Sequence, residues 1–230
     1  IRRQRQMCIR DRLTIENLPD LNETITVPED IFEELTAQDA SVAGFNPYEQ
    51  PTVRDLLYGV LLPSGADACE TLARAVGGSE EGFVAMMNQK AEELGLTNTH
   101  FENCTGLHND NHYSTCRDIA VLMSECLKSD TFREIVTREV YTTEATASHP
   151  EGITLYDTML HRFTSYEMST TLENGAVIEG GKTGFTDEAG QCLVSFAEYG
   201  GEEYILVTAE AMTDSGSAVD SIADASTVYG

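Results

Sequence analysis

The sequence predicts an α+β fold in which a block of helices precedes a C-terminal antiparallel sheet. Apolar residues recur at helical spacing through the first half of the chain, whereas strand-like alternation dominates after residue 138. This order lacks the strand–helix–strand alternation that a parallel sheet requires. The 230 residues are enough for one domain with a substantial core.

Capping residues, apolar stripes and helix-ending Pro or Gly residues delimit the predicted helices. A helix that ends at Leu18, before Pro19, is followed by a short strand from Thr24 to Val27 and a short helix over residues 28–35. The main helices are predicted from Thr52 to Leu62, Ala66 to Val76 and Glu80 to Leu94. A fourth is predicted to start at Ser114 or Thr115 and to reach Leu127, and a short fifth is predicted to be capped by Ser129 or Asp130.

Five strands are predicted in the second half from period-2 alternation and turn signals. They cover Val140 to Thr143, Ile153 to Thr158, Val177 to Thr183, Gln191 to Ala197 and Tyr204 to Ala211. Tyr199-Gly200-Gly201-Glu202 joins the last two as a hairpin, because glycine tolerates the positive φ that tight turns need. A final helix is predicted over residues 218–228.

The chain is strongly acidic, with 39 acidic and 14 basic residues and a formal net charge of −25. Such a surface repels phosphate backbones and anionic lipid, so the sequence predicts no nucleic-acid partner. No apolar run approaches the length that a membrane-spanning helix needs. We interpret the acidic excess as a well-solvated surface.

The first twelve residues differ from the rest of the chain. They hold five of the 14 basic residues, show no helical or strand period, and resemble translated sequencing-adapter sequence. We therefore predict that residues 1–12 are an artefactual or non-native segment and that residues 13–230 form one partial domain. A genuine basic arm is the alternative. The chain is expected to be a fragment of a longer protein.

The cysteines and histidines show no pattern typical of a metal site. Six cysteines are present without zinc-type spacing, and most are predicted to be buried. Cys104 and Cys116 flank a polar loop, so a disulfide between them stays open as an alternative. Because His100, His108 and His112 are spaced irregularly, they are predicted to be loop or surface residues.

The most informative segment is Glu179-Gly180-Gly181-Lys182-Thr183-Gly184-Phe185-Thr186, which begins as a strand. Lys182 offers a compact cation and Thr183 a hydroxyl, a combination that suits a carboxylate lying along a strand edge. The three glycines are expected to let a ligand backbone approach closely. An ordinary glycine-rich strand is the alternative, but the position at the head of the predicted C-terminal hairpin favours a site.

A second segment, Leu61-Leu62-Pro63-Ser64-Gly65-Ala66-Asp67-Ala68, places Ser64 in the tight link between two predicted helices. Ser64 and Asp67 have the spacing of a capping box, which would be a purely structural role. Because the Lys182 segment follows further along the chain, we favour a functional role for Ser64, and both roles can hold at once.

These two segments resemble motifs of the active-site-serine penicillin-binding proteins and β-lactamases, which are S-x-x-K, S-x-N and K-T-G. Ser64-Gly65-Ala66 stands where the second motif belongs, and Lys182-Thr183-Gly184 is the third. Over roughly residues 13–230 the chain is similar to the serine D-Ala-D-Ala carboxypeptidases, the low-molecular-mass penicillin-binding proteins. This resemblance implies a β-lactamase/transpeptidase-like fold. Further matches are Leu61-Leu62-Pro63-Ser64-Gly65, Leu94-Gly95-Leu96-Thr97-Asn98-Thr99-His100-Phe101, Thr105-Gly106-Leu107 and His112-Tyr113-Ser114-Thr115.

The chain departs from the family pattern in two places. There is no S-x-x-K, because the residues three before Lys90, Lys128 and Lys182 are not serine. Counting back along the family pattern places its serine and lysine near Gln4 and Met7, inside the predicted non-native segment. In addition, Ala66 stands where an asparagine is usual, which removes one contact to the amide backbone of a substrate.

The resemblance implies a serine-type D-Ala-D-Ala carboxypeptidase that cleaves peptidoglycan stem peptides through an acyl-enzyme, without a cofactor or metal. Ser64 would relay a proton, and Lys182, Thr183, Gly184 and Phe185 would bind the substrate. β-Lactams are the implied inhibitors and the cell envelope the implied location, with any membrane anchor outside this chain. The chain as it stands is predicted to be inactive. A β-lactamase-like hydrolase and a non-catalytic peptidoglycan-binding pseudoenzyme are the alternatives.

Overall fold

The structure, a computed structural model, describes residues 7–186, 190–211 and 220–230. The helices are α1 (Met7–Asn17), α2 (Ile31–Ala37), α3 (Val53–Leu61), α4 (Ala66–Gly77), α5 (Glu80–Glu93), α6 (Cys116–Cys126), α7 (Asp130–Val136), α8 (Leu160–Ser165) and α9 (Asp220–Tyr229). The strands are β1 (Val140–Thr142), β2 (Thr154–Tyr156), β3 (Val177–Thr186), β4 (Gly190–Tyr199) and β5 (Glu202–Ala211).

The sheet forms the middle layer of the fold. Strands β3, β4 and β5 pair in that order and are antiparallel, while β1 and β2 form a separate two-stranded ribbon. Along β4, Val194 and Phe196 join the core of the first seven helices, whereas Leu193 and Ala197 join the core formed with α8 and α9. This alternation follows from the two-residue period of a strand and confirms the predicted α+β arrangement.

The predicted helix caps are present at α3 and α6. The Thr52 side chain accepts a hydrogen bond from the Asp55 N–H, and the Asp55 carboxylate accepts one from the Thr52 N–H, which is a complete capping box. The Thr115 side chain accepts a hydrogen bond from the Asp118 N–H at the start of α6. Local polar residues therefore fix where these helices begin.

The segment from Thr24 to Val27 was predicted as a strand, but it forms only an isolated bridge between Thr24 and Thr52. Ile25 N donates to the carbonyl of Pro51 at 3.0 Å. Because Pro51 has no N–H to return, Ile25 and Pro51 share a single hydrogen bond, and beyond them Val27 N donates to the Glu49 carbonyl at 2.9 Å while the Val27 carbonyl accepts from Tyr48 N instead of Glu49 N. The prediction of a regular strand here is wrong.

Helix α1 begins at Met7 and runs through the predicted boundary between residues 12 and 13, although no helical period was found in that stretch. Cys8 and Ile9 lie in the core, and Arg10 and Asp11 are also buried. The non-native character of residues 1–12 stays a prediction.

Five of the six cysteines are buried and Cys116 is exposed. This confirms the predicted burial, and all six are free, so Cys104 and Cys116 are not joined. His112 was predicted to be a loop or surface residue; it lies in a loop but is buried. Its Nδ1 accepts a hydrogen bond from Glu102 N, and its ring packs edge-on against Phe101. Within the described ranges, no helix has the length and apolar character to cross a membrane.

Candidate active site

Ser64 lies in the two-residue link between Leu62, the C-cap of α3, and Gly65, the N-cap of α4. Its backbone adopts the left-handed conformation with φ of +65°, which is uncommon for a residue other than glycine. Such conformations cost free energy and persist where the surrounding structure imposes them, often at functional sites. The link turns the Ser64 hydroxyl toward the head of β3.

Lys182 and Ser64 are in direct contact, although 118 residues separate them in the chain. The Lys182 ammonium donates a hydrogen bond to Ser64 Oγ and a second, of 3.1 Å, to Thr158 Oγ1. It also donates to the Thr183 carbonyl at 3.3 Å. Thr158 Oγ1 and Thr183 Oγ1 are 2.7 Å apart. Four polar side chains from three separate segments are thus linked in one network.

The purely structural reading of Ser64 as a helix cap is wrong. Gly65, not Ser64, is the N-cap of α4, and no side chain caps it. The Asp67 carboxylate instead accepts hydrogen bonds from the backbone N–H groups of the loop before α3, at Ala43, Gly44 and Phe45. Asp67 therefore anchors that loop beside the site, and the Ser64 hydroxyl contacts the Lys182 ammonium.

Gly180 and Gly181 were expected to make room for a ligand, but the structure gives them a packing role. A Cβ atom at Gly180 would lie 2.5 Å from the Val136 carbonyl oxygen. A Cβ atom at Gly181 would lie 2.4 Å from the Val194 carbonyl oxygen, in the neighbouring strand. These glycines let β3 approach its own protein neighbours, and the register shift between Ile178 and Gly180 lies at the same place.

A cavity of about 160 Å³ opens beside the Ser64–Lys182 pair. Three predicted site residues from β3, Thr183, Gly184 and Phe185, line it together with Ser64. Lys182 itself is only 2% exposed and sits behind this wall. The structure therefore brings all five predicted site residues to one place. Among the described residues, the cavity lining is completed by Arg10, Ser41, Val60, Pro63, Thr105, Thr158 and Arg162.

Five polar residues of this lining were not predicted from the sequence to be parts of the site: Arg10, Ser41, Thr105, Thr158 and Arg162. Thr158 was placed at the end of a strand, and Arg162 belongs to α8, which was not predicted. The Asp157 carboxylate accepts hydrogen bonds from Met159 N at 2.9 Å and from Leu160 N at 2.7 Å, so it holds the start of α8. An aspartate just before an apolar helical pair is the signal that could have found this helix.

Asp157 is buried beside the site. Burial raises the pKa of its carboxyl to about 7, although the nearby Lys182 ammonium acts to lower this pKa. A raised carboxylate pKa stabilises the fold at low pH. That stability is lost as the pH rises from the ordinary value of 3.8 through about 7, because the folded state then has to bury a charge.

We therefore expect Asp157→Asn to gain stability relative to the parent as the pH rises. The asparagine keeps the oxygen that accepts from Met159 and Leu160 but never ionises. The difference in unfolding free energy between variant and parent should shift in favour of the variant by roughly 1–3 kcal/mol between about pH 4 and about pH 8. Urea unfolding at both pH values measures it, and the exposed Asp224→Asn is the control. A pH-independent difference would contradict the assignment.

The buried thiols near the site are not poised as nucleophiles. Arg10 Nη1 donates to Cys69 Sγ at 2.9 Å, yet burial raises the pKa of Cys69 to about 12. Burial also raises the pKa of Cys104. Since the thiolate is the reactive form, neither thiol is activated as a nucleophile.

Glu70, Glu80 and Cys104 place three possible metal-ligand atoms within 4.8 Å of one another. Glu70 and Glu80 also line a second cavity. Cys104 Sγ lies 3.3 Å from a Glu70 carboxylate oxygen, and Cys104 N donates to Glu80 at 3.0 Å. Burial and the neighbouring Glu80 raise the pKa of Glu70 to about 7. The chemistry proposed below involves no metal.

The fold of this chain matches that of DD-peptidases of known structure. The crystal structure of the Streptomyces K15 DD-transpeptidase superposes with a TM-score of 0.79 at 30% identity, covering 100% of this chain and 88% of that one. This similarity confirms the β-lactamase/transpeptidase-like fold. The family model of the D-alanyl-D-alanine carboxypeptidases matches residues 12–213 of this chain. The chain belongs to the D-alanyl-D-alanine carboxypeptidase family.

Individual relatives agree with this assignment. The chain is 36% identical over 168 residues to the D-alanyl-D-alanine carboxypeptidase DacF of Bacillus subtilis, covering 73% of this chain and 40% of that protein. It is 35% identical over 192 residues to the D-alanyl-D-alanine carboxypeptidase of Streptomyces sp. strain K15, covering 81% of this chain and 64% of that protein. The chain thus spans less than two thirds of the length of these curated relatives.

Proposed function

We propose that the protein is a serine-type D-Ala-D-Ala carboxypeptidase that acts on peptidoglycan stem peptides through an acyl-enzyme, and that this chain lacks the attacking serine and its lysine. The contact between the Lys182 ammonium and Ser64 Oγ carries the proposal. A hydroxyl that accepts from a buried cation can pass a proton onward, because the cation stabilises the oxygen when it is partly deprotonated.

In the proposed reaction, the missing serine attacks the carbonyl of the penultimate residue after its lysine has taken the hydroxyl proton. The carbonyl oxygen becomes an oxyanion, held by the N–H of the nucleophile and the N–H of Phe185. Ser64 relays a proton to the departing amine, and D-alanine leaves. Water then hydrolyses the acyl-enzyme and restores the serine.

The substrate contacts in this proposal lie along the exposed edge of β3. Thr183 is positioned to donate its hydroxyl to the terminal carboxylate, and Gly184 lets the substrate backbone lie against the strand. The charge of Lys182 acts through Ser64 and Thr158, because the ammonium sits behind them. β-Lactams, which resemble the D-Ala-D-Ala end of the stem peptide, are the proposed inhibitors. The proposed location is the cell envelope, where stem peptides occur.

Residues 1–12 are proposed to be non-native, with residues 13–230 forming part of one carboxypeptidase domain. The composition of this stretch supports the proposal, since it holds five of the 14 basic residues. Its packing supports it as well: Arg10 and Asp11 enter the core as charged residues, and burial raises the pKa of the Asp11 carboxyl. A native core position rarely carries a charge with an unsatisfied atom.

Two alternative functions remain distinguishable by experiment. A β-lactamase-like hydrolase would turn over penicillin rapidly once the serine and lysine are present, whereas a carboxypeptidase would be trapped by it. A non-catalytic peptidoglycan-binding pseudoenzyme would have no serine and lysine in the native gene. Reading the native coding sequence in frame before Leu13 separates the pseudoenzyme from both enzymes.

A preference of the unaltered chain for a D-Ala-D-Ala peptide over its L-Ala-L-Ala counterpart would test the proposed function. We expect a diacetyl-lysyl peptide ending in D-Ala-D-Ala to bind at least about tenfold more tightly than the same peptide ending in L-Ala-L-Ala, measured by isothermal titration calorimetry. Lys182→Met should reduce this binding, and the exposed Lys128→Met is its control. Equal binding of both peptides, or binding of neither, would contradict the proposal.

A further inference from the structure

Thr158 lies in the short link between β2 and α8, and its neighbours fix it in place. Its backbone N–H donates to the carbonyl of Leu62, the C-cap of α3, at 3.3 Å. Immediately before it, Asp157 N donates to the Glu139 carbonyl at 2.8 Å, and the Asp157 carboxylate accepts from two backbone N–H groups at the start of α8. The Thr158 side chain is therefore held at the wall of the site cavity.

The hydroxyl of Thr158 contacts two other side chains of the site. The Lys182 ammonium lies 3.1 Å from Thr158 Oγ1, and Thr183 Oγ1 lies 2.7 Å from the same oxygen. An ammonium can only donate hydrogen bonds, so Thr158 Oγ1 is the acceptor in its contact with Lys182. The Thr158 hydroxyl has a single proton of its own to donate. The direction of its contact with Thr183 therefore decides what the Thr183 proton can do.

The surroundings of the two threonine hydroxyls favour one direction for the hydrogen bond between them. Within the part of the chain that the structure describes, Thr183 Oγ1 is the one acceptor within hydrogen-bond distance of the Thr158 hydroxyl. If Thr183 donated to Thr158 instead, the Thr158 proton would have no protein acceptor, and Thr183 would have no proton left for a ligand. Donation from Thr158 to Thr183 satisfies the Thr158 hydroxyl and leaves the Thr183 proton for the cavity that Thr183 lines.

From this geometry we infer that Thr158 is a positioning residue, which orients the Thr183 hydroxyl so that it donates its proton to the ligand. The hydrogen bonds run in one direction, from the Lys182 ammonium to Thr158, from Thr158 to Thr183 and from Thr183 into the cavity. Each hydroxyl becomes a stronger donor because it accepts from the group before it, and the first group is a cation. The charge of the buried Lys182 thus acts on an anionic ligand through two hydroxyl groups. The inference rests on the proposed function, because it takes this ligand to be a peptide ending in D-Ala-D-Ala.

Calorimetric titration with a charged and an uncharged ligand tests this role. The ligands are the diacetyl-lysyl-D-Ala-D-Ala peptide and the same peptide amidated at its C-terminus, and the parent chain is expected to prefer the first. Thr158→Val removes the hydroxyl with little change of shape, so the Kd of the carboxylate peptide should rise about three- to tenfold while the Kd of the amide stays within about twofold. Thr158→Ser keeps the hydroxyl and should retain most of the preference for the carboxylate. A side chain that only packs would change both Kd values alike.

A double-mutant cycle shows whether Thr158 acts through Thr183. Thr183→Val alone should raise the Kd of the carboxylate peptide about tenfold, and adding Thr158→Val should raise it further by less than about twofold, because the proton that Thr158 orients is gone. Two independent effects that multiply would overturn the inference. The control is Thr154→Val in the β1–β2 ribbon, where the exposed Thr154 and Thr142 form a similar pair with their hydroxyl oxygens 3.2 Å apart. This control should leave both Kd values unchanged.

The possible outcomes distinguish the inference from the proposed function. If the parent binds D-Ala-D-Ala in preference to L-Ala-L-Ala, and Thr158→Val keeps the full preference for the carboxylate, the role of Thr158 is overturned and the proposed function stands. The same holds if Thr158→Ser loses this preference as completely as Thr158→Val does. If the parent binds neither D-Ala-D-Ala peptide, both the inference and the proposed function are overturned. Thermal unfolding shows whether each variant is folded, and Thr158→Ala provides the same test if Thr158→Val fails to fold.

Discussion

Incubation with a fluorescent penicillin is expected to leave this chain without a covalent label. The acylation step needs a serine oxygen activated by an adjacent base, and no serine in the sequence is followed by lysine at the third position. Loss of such a nucleophile–base unit costs up to about a million-fold in rate. Ser64 does not replace it, because its hydroxyl accepts from the Lys182 ammonium, which has no proton-accepting capacity while charged.

The matched variant is Gln4→Ser combined with Met7→Lys, which restores serine and lysine where the family pattern places them. This variant is expected to gain a single penicillin adduct, seen as in-gel fluorescence and as one mass increment by intact-protein mass spectrometry. Gln4→Ser alone should remain essentially unlabelled, because the base is still missing. A covalent adduct on the unaltered chain would contradict the account of the missing nucleophile.

Replacing the buried pair Arg10 and Asp11 by apolar residues is expected to stabilise the fold. Both side chains lie in the core, with exposed fractions of 2% and 0%. Among the described residues, Arg10 Nη2 and Asp11 Oδ2 are buried atoms without a hydrogen-bond partner. The free-energy cost of desolvating two such charges can exceed the free energy gained from their attraction. Replacing them with apolar residues of similar volume is therefore often stabilising, by about 1–4 kcal/mol.

A double-mutant cycle measures this effect. Arg10→Met and Asp11→Ala together should raise the free energy of unfolding in urea, whereas Asp11→Ala alone should lower it by about 3–5 kcal/mol because it leaves the Arg10 charge buried and unpaired. The exposed pair Arg74 and Asp30 is the control, and its removal should cost less than about 1 kcal/mol. A double variant that is markedly less stable than the parent would indicate that the first helix is native.

The local parts of this fold and site could be predicted from the sequence. The Thr52 cap depends on residues three apart, and strands β3 to β5 follow from alternation and a glycine turn, so short-range patterns identify them. Ser64 and Lys182 could be proposed as partners only through the motifs that they share with a family. Their contact spans 118 residues and depends on the whole fold.

The remaining features depend on tertiary packing that leaves little trace in the sequence. Helix α8 has six residues, too few for an apolar period to stand out, and with it Arg162 was missed. Gly181 looks the same in sequence whether it admits a ligand or the Val194 carbonyl. Met7 starts a helix in a stretch without helical period, because burial of Ile9 and its neighbours outweighs local preference.

Release of D-alanine by the Gln4→Ser/Met7→Lys variant tests the central claim most directly, namely that Ser64, Lys182 and Thr183 form the site of a D-Ala-D-Ala carboxypeptidase. The variant is expected to release D-alanine from a diacetyl-lysyl-D-Ala-D-Ala peptide and to release none from the L-Ala-L-Ala peptide. Adding Ser64→Ala should abolish most of this release while the fold is kept. A folded variant that penicillin labels but that releases no D-alanine, or one whose release is unaffected by Ser64→Ala, would contradict the account.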